Sequence, residues 1–310
     1  MNPFKKILYV SENSVNQTST LERTVSIAQK NRAELIVADI VPQTGDAYFS
    51  KIKDYHTQKL EELIRPFQNR IKIQTKILTG RVFIEVIRQV IKNRFDLVVK
   101  PAENSNFKIR LFGSVDMHLL RKCPCPLWIM KTPEKPGCQN IIAAVDFDPL
   151  RIVPPDHEFN NEILDLAAAI AKSDKASLHI VHAWDTFAEK AVLSYGDMDD
   201  KYVDNHIEKQ HLAHQKELYS LGLDLQKRIS SKVYADISPS FHLPKGMAKK
   251  VIPKIAKKLQ TDLVVMGTVA RTGIAGLIIG NAAEAILEQL SCSVLAIKPP
   301  GFETPVKLDF

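Results

Sequence analysis

The chain has 310 residues, 45% hydrophobic and 25% charged, which is enough for a substantial core and for two domains of ordinary size. No apolar run reaches the roughly 18 residues a membrane span needs, and the start MNPFKKILYVSEN lacks a signal peptide's long apolar region, so a cytoplasmic protein is expected. The net charge of +7 comes from lysines and arginines interleaved with acids, which suits a solvated surface rather than a nucleic-acid groove, and four cysteines at irregular spacing fit reduced thiols.

In chain order, residues 7–10 form a first strand, followed by a polar turn at Ser11, Glu12, Asn13 and Ser14. Leu21, Val25, Ile27 and Ala28 mark a helix, and 35–41 a strand closed by Pro42. A helix carrying Ile52, Tyr55, Leu60, Leu63 and Ile64 comes next. The alternation at Ile71, Ile73, Thr75 and Ile77 then predicts a strand with one exposed side. A helix around Phe83, Ile84, Ile87, Val90 and Ile91, a buried strand at 97–99, a helix around Val115, Leu119 and Leu120, and a strand at 127–130 complete the first half.

Proline and lysine around 131–137 mark a linker, placed at 133–139 between a domain over 1–132 and a second over 140–299, with a tail at 300–310. The same order then recurs. A strand at 141–145 is followed by a helix with Ile163, Leu166, Ala167 and Ile170, a strand at 178–181, and a long polar, helical region to about Ile229. The alternation over 233–237 predicts a strand, and Met247, Val251, Ile255 and Leu259 a helix that Pro253 kinks or begins. A buried strand at 263–266 ends at Gly267, and a loop with Gly273 and Gly276 runs to Gly280. Asn281 and Glu284 form a capping-box pattern for a helix with Ala282, Ala283, Ile286, Leu287 and Leu290, and 294–297 is the last strand. Asp96, Leu97, Val98 and Val99 repeat as Asp262, Leu263, Val264 and Val265, so the chain is an internal duplication.

The loop between Gly267 and Gly280 joins a strand end to a helix start, where backbone N–H groups could meet a polyphosphate. Tight turns need glycine whether or not anything binds, and spacing alone favours that plainer reading.

The segment GTVARTGIAGLIIGN, followed by AAEAILEQLSCSVLAIK, resembles the C-terminal signature of the universal stress protein family, whose nucleotide-binding members carry G-x2-G-x9-G-[S/T] there. The tandem arrangement, the run HLLRKCPCPLWIMK and the tail TPVKLD resemble tandem members. The resemblance implies an α/β fold of two Rossmann-like (flavodoxin-like) domains, each a five-stranded parallel sheet with helices on both faces. It implies too that they pair as a pseudo-dimer through their final strands near Trp128 and Leu295, with any further homodimer left open.

Carried over by position, the resemblance places a ligand site at Asp146, Met266, Gly267, Ala270, Arg271, Gly280, Asn281 and Ala282. Asp146 would meet ribose hydroxyls and Arg271 a phosphate. Ala270 replaces the second glycine and Asn281 the usual hydroxyl residue, which leaves the site impaired. In the first half Ser11 stands at the Asp146 position, Pro101 and Glu103 fall near the early glycines, and only Gly113 and Ser114 survive. ATP is therefore expected in the C-terminal half or nowhere.

Other groups point to packing or solvent. Cys123 and Cys125 flank a single proline, not the two residues of a C-x-x-C redox motif, and are expected to pack. His206, His211 and His214 are expected on a solvated helix face rather than as metal ligands, and the lysines at 249, 250, 254, 257 and 258 on another. The stretch from Trp184 to Tyr202 is either a lid over an amphipathic ligand or packing against the other half. The resemblance implies a non-enzymatic role in stress survival, DNA damage included, through small-ligand sensing. The alternatives are an ATP binder with slow hydrolysis, for which no base or metal carboxylate beyond Asp146 is evident, and a binder of a lipid-like ligand.

Overall fold

Continuous Val, Ile and Leu runs make strands buried on both faces, and they build the sheets of the computed structural model, which describes residues 2–43, 46–103, 113–149, 157–185, 200–269 and 279–308. The chain divides into two compact units, Met1–Cys138 with Met266–Phe310, and Gln139–Val265.

In the first unit β1 (Lys6–Val10), β2 (Glu34–Val41), β3 (Ile73–Thr79), β4 (Leu97–Pro101) and β5 (Leu127–Met130) lie in the order β3-β2-β1-β4-β5. All of these pairings are parallel, as in half of a doubly wound fold. The half-exposed residues of β3 suit its place at the sheet edge. The connecting helices are α1 (Thr18–Asn31), α2 (Asp46–Ile64), α3 (Val82–Asn93) and α4 (Ser114–Lys122). From the far end of the chain β10 (Ser293–Ile297) joins β5 antiparallel, with Leu295 opposite Trp128, the pairing expected of the final strands.

The second unit holds β6 (Asn140–Ala144), β7 (Ser177–Val181) and β8 (Ser240–His242), which pair parallel, with β9 (Leu263–Gly267) beside β6. Its helices are α5 (His157–Asp174), α6 (Asp200–Arg228), α7 (Ser231–Ile237) and α8 (Ala248–Lys258), the last with Pro253 inside it. The strand expected over 233–237 is the helix α7. Val233 and Ile237, four apart, share one buried helical face, and Ser230 caps it by accepting the Val233 N–H at 3.3 Å. The strand falls instead at β8.

The duplication is visible in the joints. Asp96 accepts the N–H groups of Lys5 and Lys6 at 2.8 and 3.1 Å, and Asp262 those of Gln139 and Asn140 at 2.7 and 3.1 Å. Each repeated aspartate thus fastens the chain entering the first strand of its half. Arg32 and Lys175 both turn left-handed between a helix and the second strand, and Arg94 and Gln260 do so before the fourth. In α9 (Asn281–Leu287) the cap is Gly280, one residue earlier than expected, because the Glu284 N–H bonds to the Gly280 carbonyl at 2.9 Å.

Candidate functional site

In doubly wound sheets ligands meet the carboxyl ends of the strands, and those ends differ between the two halves. In the first half Lys100 stands at the end of β4 with 1% of its surface exposed. Its Nζ donates to Glu12 Oε2 at 2.8 Å, Asp116 Oδ1 at 2.9 Å and the Pro101 carbonyl at 3.1 Å, with Glu103 Oε1 at 3.7 Å. Asp116 also accepts the N–H groups of Glu103 at 2.8 Å and Gly113 at 3.3 Å. Burial works against the Lys100 ammonium, yet the neighbouring carboxylates outweigh it and raise its pKa. Glu12 is opposed by burial but ends below the ordinary carboxylate range through Lys100 and Ser14, whereas burial pushes Glu103 up.

Glu103 fills the space at the start of α4. Its Oε2 accepts the Val115 N–H at 3.3 Å in the first turn of α4, and a β-carbon added to Gly113 would lie 1.7 Å from that same oxygen. The glycine's open space is filled by a carboxylate of the chain itself. In the same half a cavity of about 290 Å³ opens between Ser11, Asn13, Asp39, Lys59 and Glu62, with two acids and one lysine on its walls.

The strand register corrects one expectation. Lys6 pairs with Glu34 as Asn140 pairs with Ser177, and Ser11 N–H bonds to the Ala38 carbonyl as Val145 N–H bonds to Val181. Counting from there, Glu12 rather than Ser11 matches Asp146. The first half has kept an acid at this place and turned it onto Lys100.

In the second unit Asp146 follows β6 and is exposed, while its backbone is clamped by buried Asn160 of α5. Its N–H donates to Asn160 Oδ1 at 3.0 Å, and Asn160 Nδ2 donates to its carbonyl at 2.9 Å. Next to it Phe147 stacks on His182 with centroids 3.7 Å apart, and His182 stacks on His214 at 5.1 Å. Trp184 lies 5.7 Å from His214 and 5.3 Å from His211. The Val145 carbonyl, 3.2 Å from His182 Nδ1, can only accept, so that nitrogen carries a proton and a neutral His182 accepts from His214 Nδ1 at 3.0 Å. Burial lowers the His214 pKa, Asp148 opposes this, and His211 adds to it.

This ring stack was missed. His214 was expected on a solvated face, but it is buried together with Leu218, Leu221 and Leu225. Those positions form the i, i+4, i+7, i+11 stripe of a helix, a signal present in the sequence and overlooked among the surrounding lysines and glutamines. His206 is exposed and His211 half-buried, and no group of three potential metal ligands occurs among the described residues.

The remaining site residues lie in the first unit. Met266 is buried in β9, Gly267 ends that strand, Gly280 caps α9, and Asn281 and Ala282 are exposed in its first turn. Val269 and Ile279 bridge antiparallel, and Gly280 N–H bonds to the Thr268 carbonyl at 2.9 Å, so the loop is pinned at its base. Ala270 and Arg271 lie outside the described residues, as does most of the stretch between Trp184 and Tyr202. Asp146 belongs to the other compact unit.

Comparison with known proteins agrees with this picture. The model of the universal stress protein family matches residues 3–131 and again 139–298. Universal stress protein E of Salmonella typhi is 32% identical over 77% of this chain and 72% of its own length. Universal stress protein E of Escherichia coli K12 is 28% identical over 100% of this chain and 98% of its own. A crystal structure of a functionally unknown protein from Pseudomonas aeruginosa PAO1 is 25% identical with a TM-score of 0.66, covering 96% of this chain and 94% of that one. A universal stress protein from Archaeoglobus fulgidus, 17% identical, shares the fold at a TM-score of 0.62 over 94% of this chain and 98% of that one.

Proposed function

Because the chain belongs to the universal stress protein family, a family of stress-response proteins, we propose that it is a non-enzymatic stress-response protein whose second half alone takes up a small ligand. The observation that carries this is Glu103, whose carboxylate fills the space over Gly113 and accepts the Val115 N–H. A triphosphate would have to displace it against the repulsion of Glu12 and Asp116. The first half is then a scaffold that supplies β5 to β10.

In the second half Met266 stands at the sequence position of Lys100, and no comparable ion network is built on it. In sequence, Asp146, Gly267, Gly280 and Asn281 keep part of a nucleotide-binding pattern. That pattern suits a nucleotide, with a lipid-like molecule as the competing ligand. Slow ATP hydrolysis is the second reading. It is favoured only by the retained glycines.

Native mass spectrometry of the full chain, purified without added ligand and then titrated with ATP, tests the proposal. The expected result is at most one ligand per chain. Two ATP molecules per chain, or one that Glu103→Ala leaves unchanged while Asn281→Ala plus Gly280→Val also leaves it unchanged, would remove the assignment to the second half. No bound species at any ATP or lipid concentration would remove ligand sensing itself.

A further inference from the structure

Cys123 and Cys125 lie at the joint where α4 feeds β5, with their sulfur atoms 3.8 Å apart and 1% and 9% of their surfaces exposed. As expected, they pack. What the sequence did not show is their neighbour. Lys298, directly after β10, is 7% exposed, and its Nζ donates to the Leu120 carbonyl at 2.5 Å and to Thr268 Oγ1 at 2.6 Å. Both acceptors are neutral, and no carboxylate pairs with this buried lysine among the described residues. The charge that favours its ammonium against burial is that of the Cys123 sulfur.

The three groups favour a thiolate at one sulfur. The thiol of Cys125 hydrogen-bonds to Cys123 and lowers its pKa most, burial opposes this, and the Lys298 charge lowers it again. Cys125 is driven the other way, first by that hydrogen bond and then by burial, so it remains the protonated donor. Burial brings Lys298 down to about 8. Cys123 caps the C-terminus of α4, the negative end of the helix dipole, which would by itself disfavour a thiolate. Lys298 answers that by sitting on the Leu120 carbonyl in the last turn.

We propose that Cys123 and Cys125 are a hydroperoxide-reactive dithiol, in which Cys123 is the attacking thiolate, Cys125 the resolving thiol and Lys298 the positioning cation. The Cys123 sulfur attacks one oxygen of the hydroperoxide, the O–O bond breaks, and hydroxide or alkoxide leaves with the electron pair to be protonated. Cys123 becomes a sulfenic acid. The Cys125 sulfur then attacks the sulfenic sulfur, and the hydroxyl leaves as water with the Cys125 proton. The peroxide is reduced by two electrons and the two thiols are oxidised to one disulfide. Closing that bond brings the sulfurs about 1.8 Å nearer, given a bond length of roughly 2.05 Å.

The full-length protein is treated with hydrogen peroxide, alkylated and cut with trypsin, which releases residues 123–131 as one peptide. That peptide should be short by two hydrogens, and its oxidation should be faster at pH 7 than that of a free peptide of the same sequence. Cys125→Ser should leave a dimedone adduct on Cys123, and Cys123→Ser none on Cys125. Lys298→Met should slow oxidation about tenfold, as expected if the thiol pKa rises by one unit, and move the rate–pH profile to higher pH. A protein no more reactive than the free peptide, or a folded Lys298→Met variant with the parent rate and profile, overturns the proposal. If that variant does not fold, the parent's own profile decides: an inflection below the ordinary thiol range is expected, and one at the ordinary value overturns it.

Discussion

The strand ends of the two halves descend from one pattern and have been filled in opposite ways. In the first half Glu12, at the position of Asp146, binds Lys100, and Asp39, at the position of His182, holds His56 at 2.7 Å. In the second half Phe147, His182 and His214 stack as rings, and buried Met266 replaces Lys100. One set of strand ends is closed by charge, the other packed with buried rings beside an exposed aspartate. Carboxylates hold the buried Lys100 ammonium, and with them there the space is hostile to an anion. A methionine needs no carboxylate. One change at the end of the fourth strand therefore accounts for much of the divergence.

The largest expected effect breaks the first crevice by making it like the second. Lys100→Met leaves Glu12, Glu103 and Asp116 facing one another without a cation, and should destabilise the protein by about 3–5 kcal/mol at neutral pH in denaturant titrations. The loss should shrink in acid as the carboxyls take up protons. An unchanged midpoint at neutral pH would mean that the ion network is not what fills this crevice.

A smaller pair of changes sharpens what the halves still share. Asp96→Ala and Asp262→Ala each remove one carboxylate that accepts two N–H groups, and each should cost about 1.5–3 kcal/mol. Similar losses are expected because the joints are alike. A large loss at one site alone would show that the two copies no longer depend on this fastening equally.

The smallest effect is the share of the pH slope that His214 of the second half contributes. His214 has its pKa lowered by burial, so the folded state favours the neutral ring. That contribution is present above the ordinary histidine value of roughly 6.5 and is lost as pH falls through the lowered folded value. Stability should therefore decline below about pH 6.5, and His214→Gln should flatten the decline. An identical slope in the variant would assign the acid sensitivity elsewhere.

Element order and the duplication were legible because they rest on local patterns, and the pairing of the last strands because the family resemblance implies it. Apolar runs announce buried strands, and the repeated Asp, Leu, Val, Val marks the same joint twice. The misreadings had local causes as well. Val233 and Ile237 suit a strand face and a helix face equally, and His214 looked solvated only because the four-residue spacing to Leu218, Leu221 and Leu225 was overlooked.

By itself the sequence determined that one α/β pattern was copied and that the loop after its fourth strand holds fewer glycines in the first copy, since those facts depend on residue type and spacing along the chain. Only the tertiary structure decided what fills the strand ends of that copy. Glu12, Lys100, Glu103 and Asp116 meet, as do Cys123 and Lys298, because parallel strands bring distant strand ends together. Hydrogen-bonded ion pairs form only within about 3 Å, so these networks are fixed by contacts in space that no linear spacing encodes.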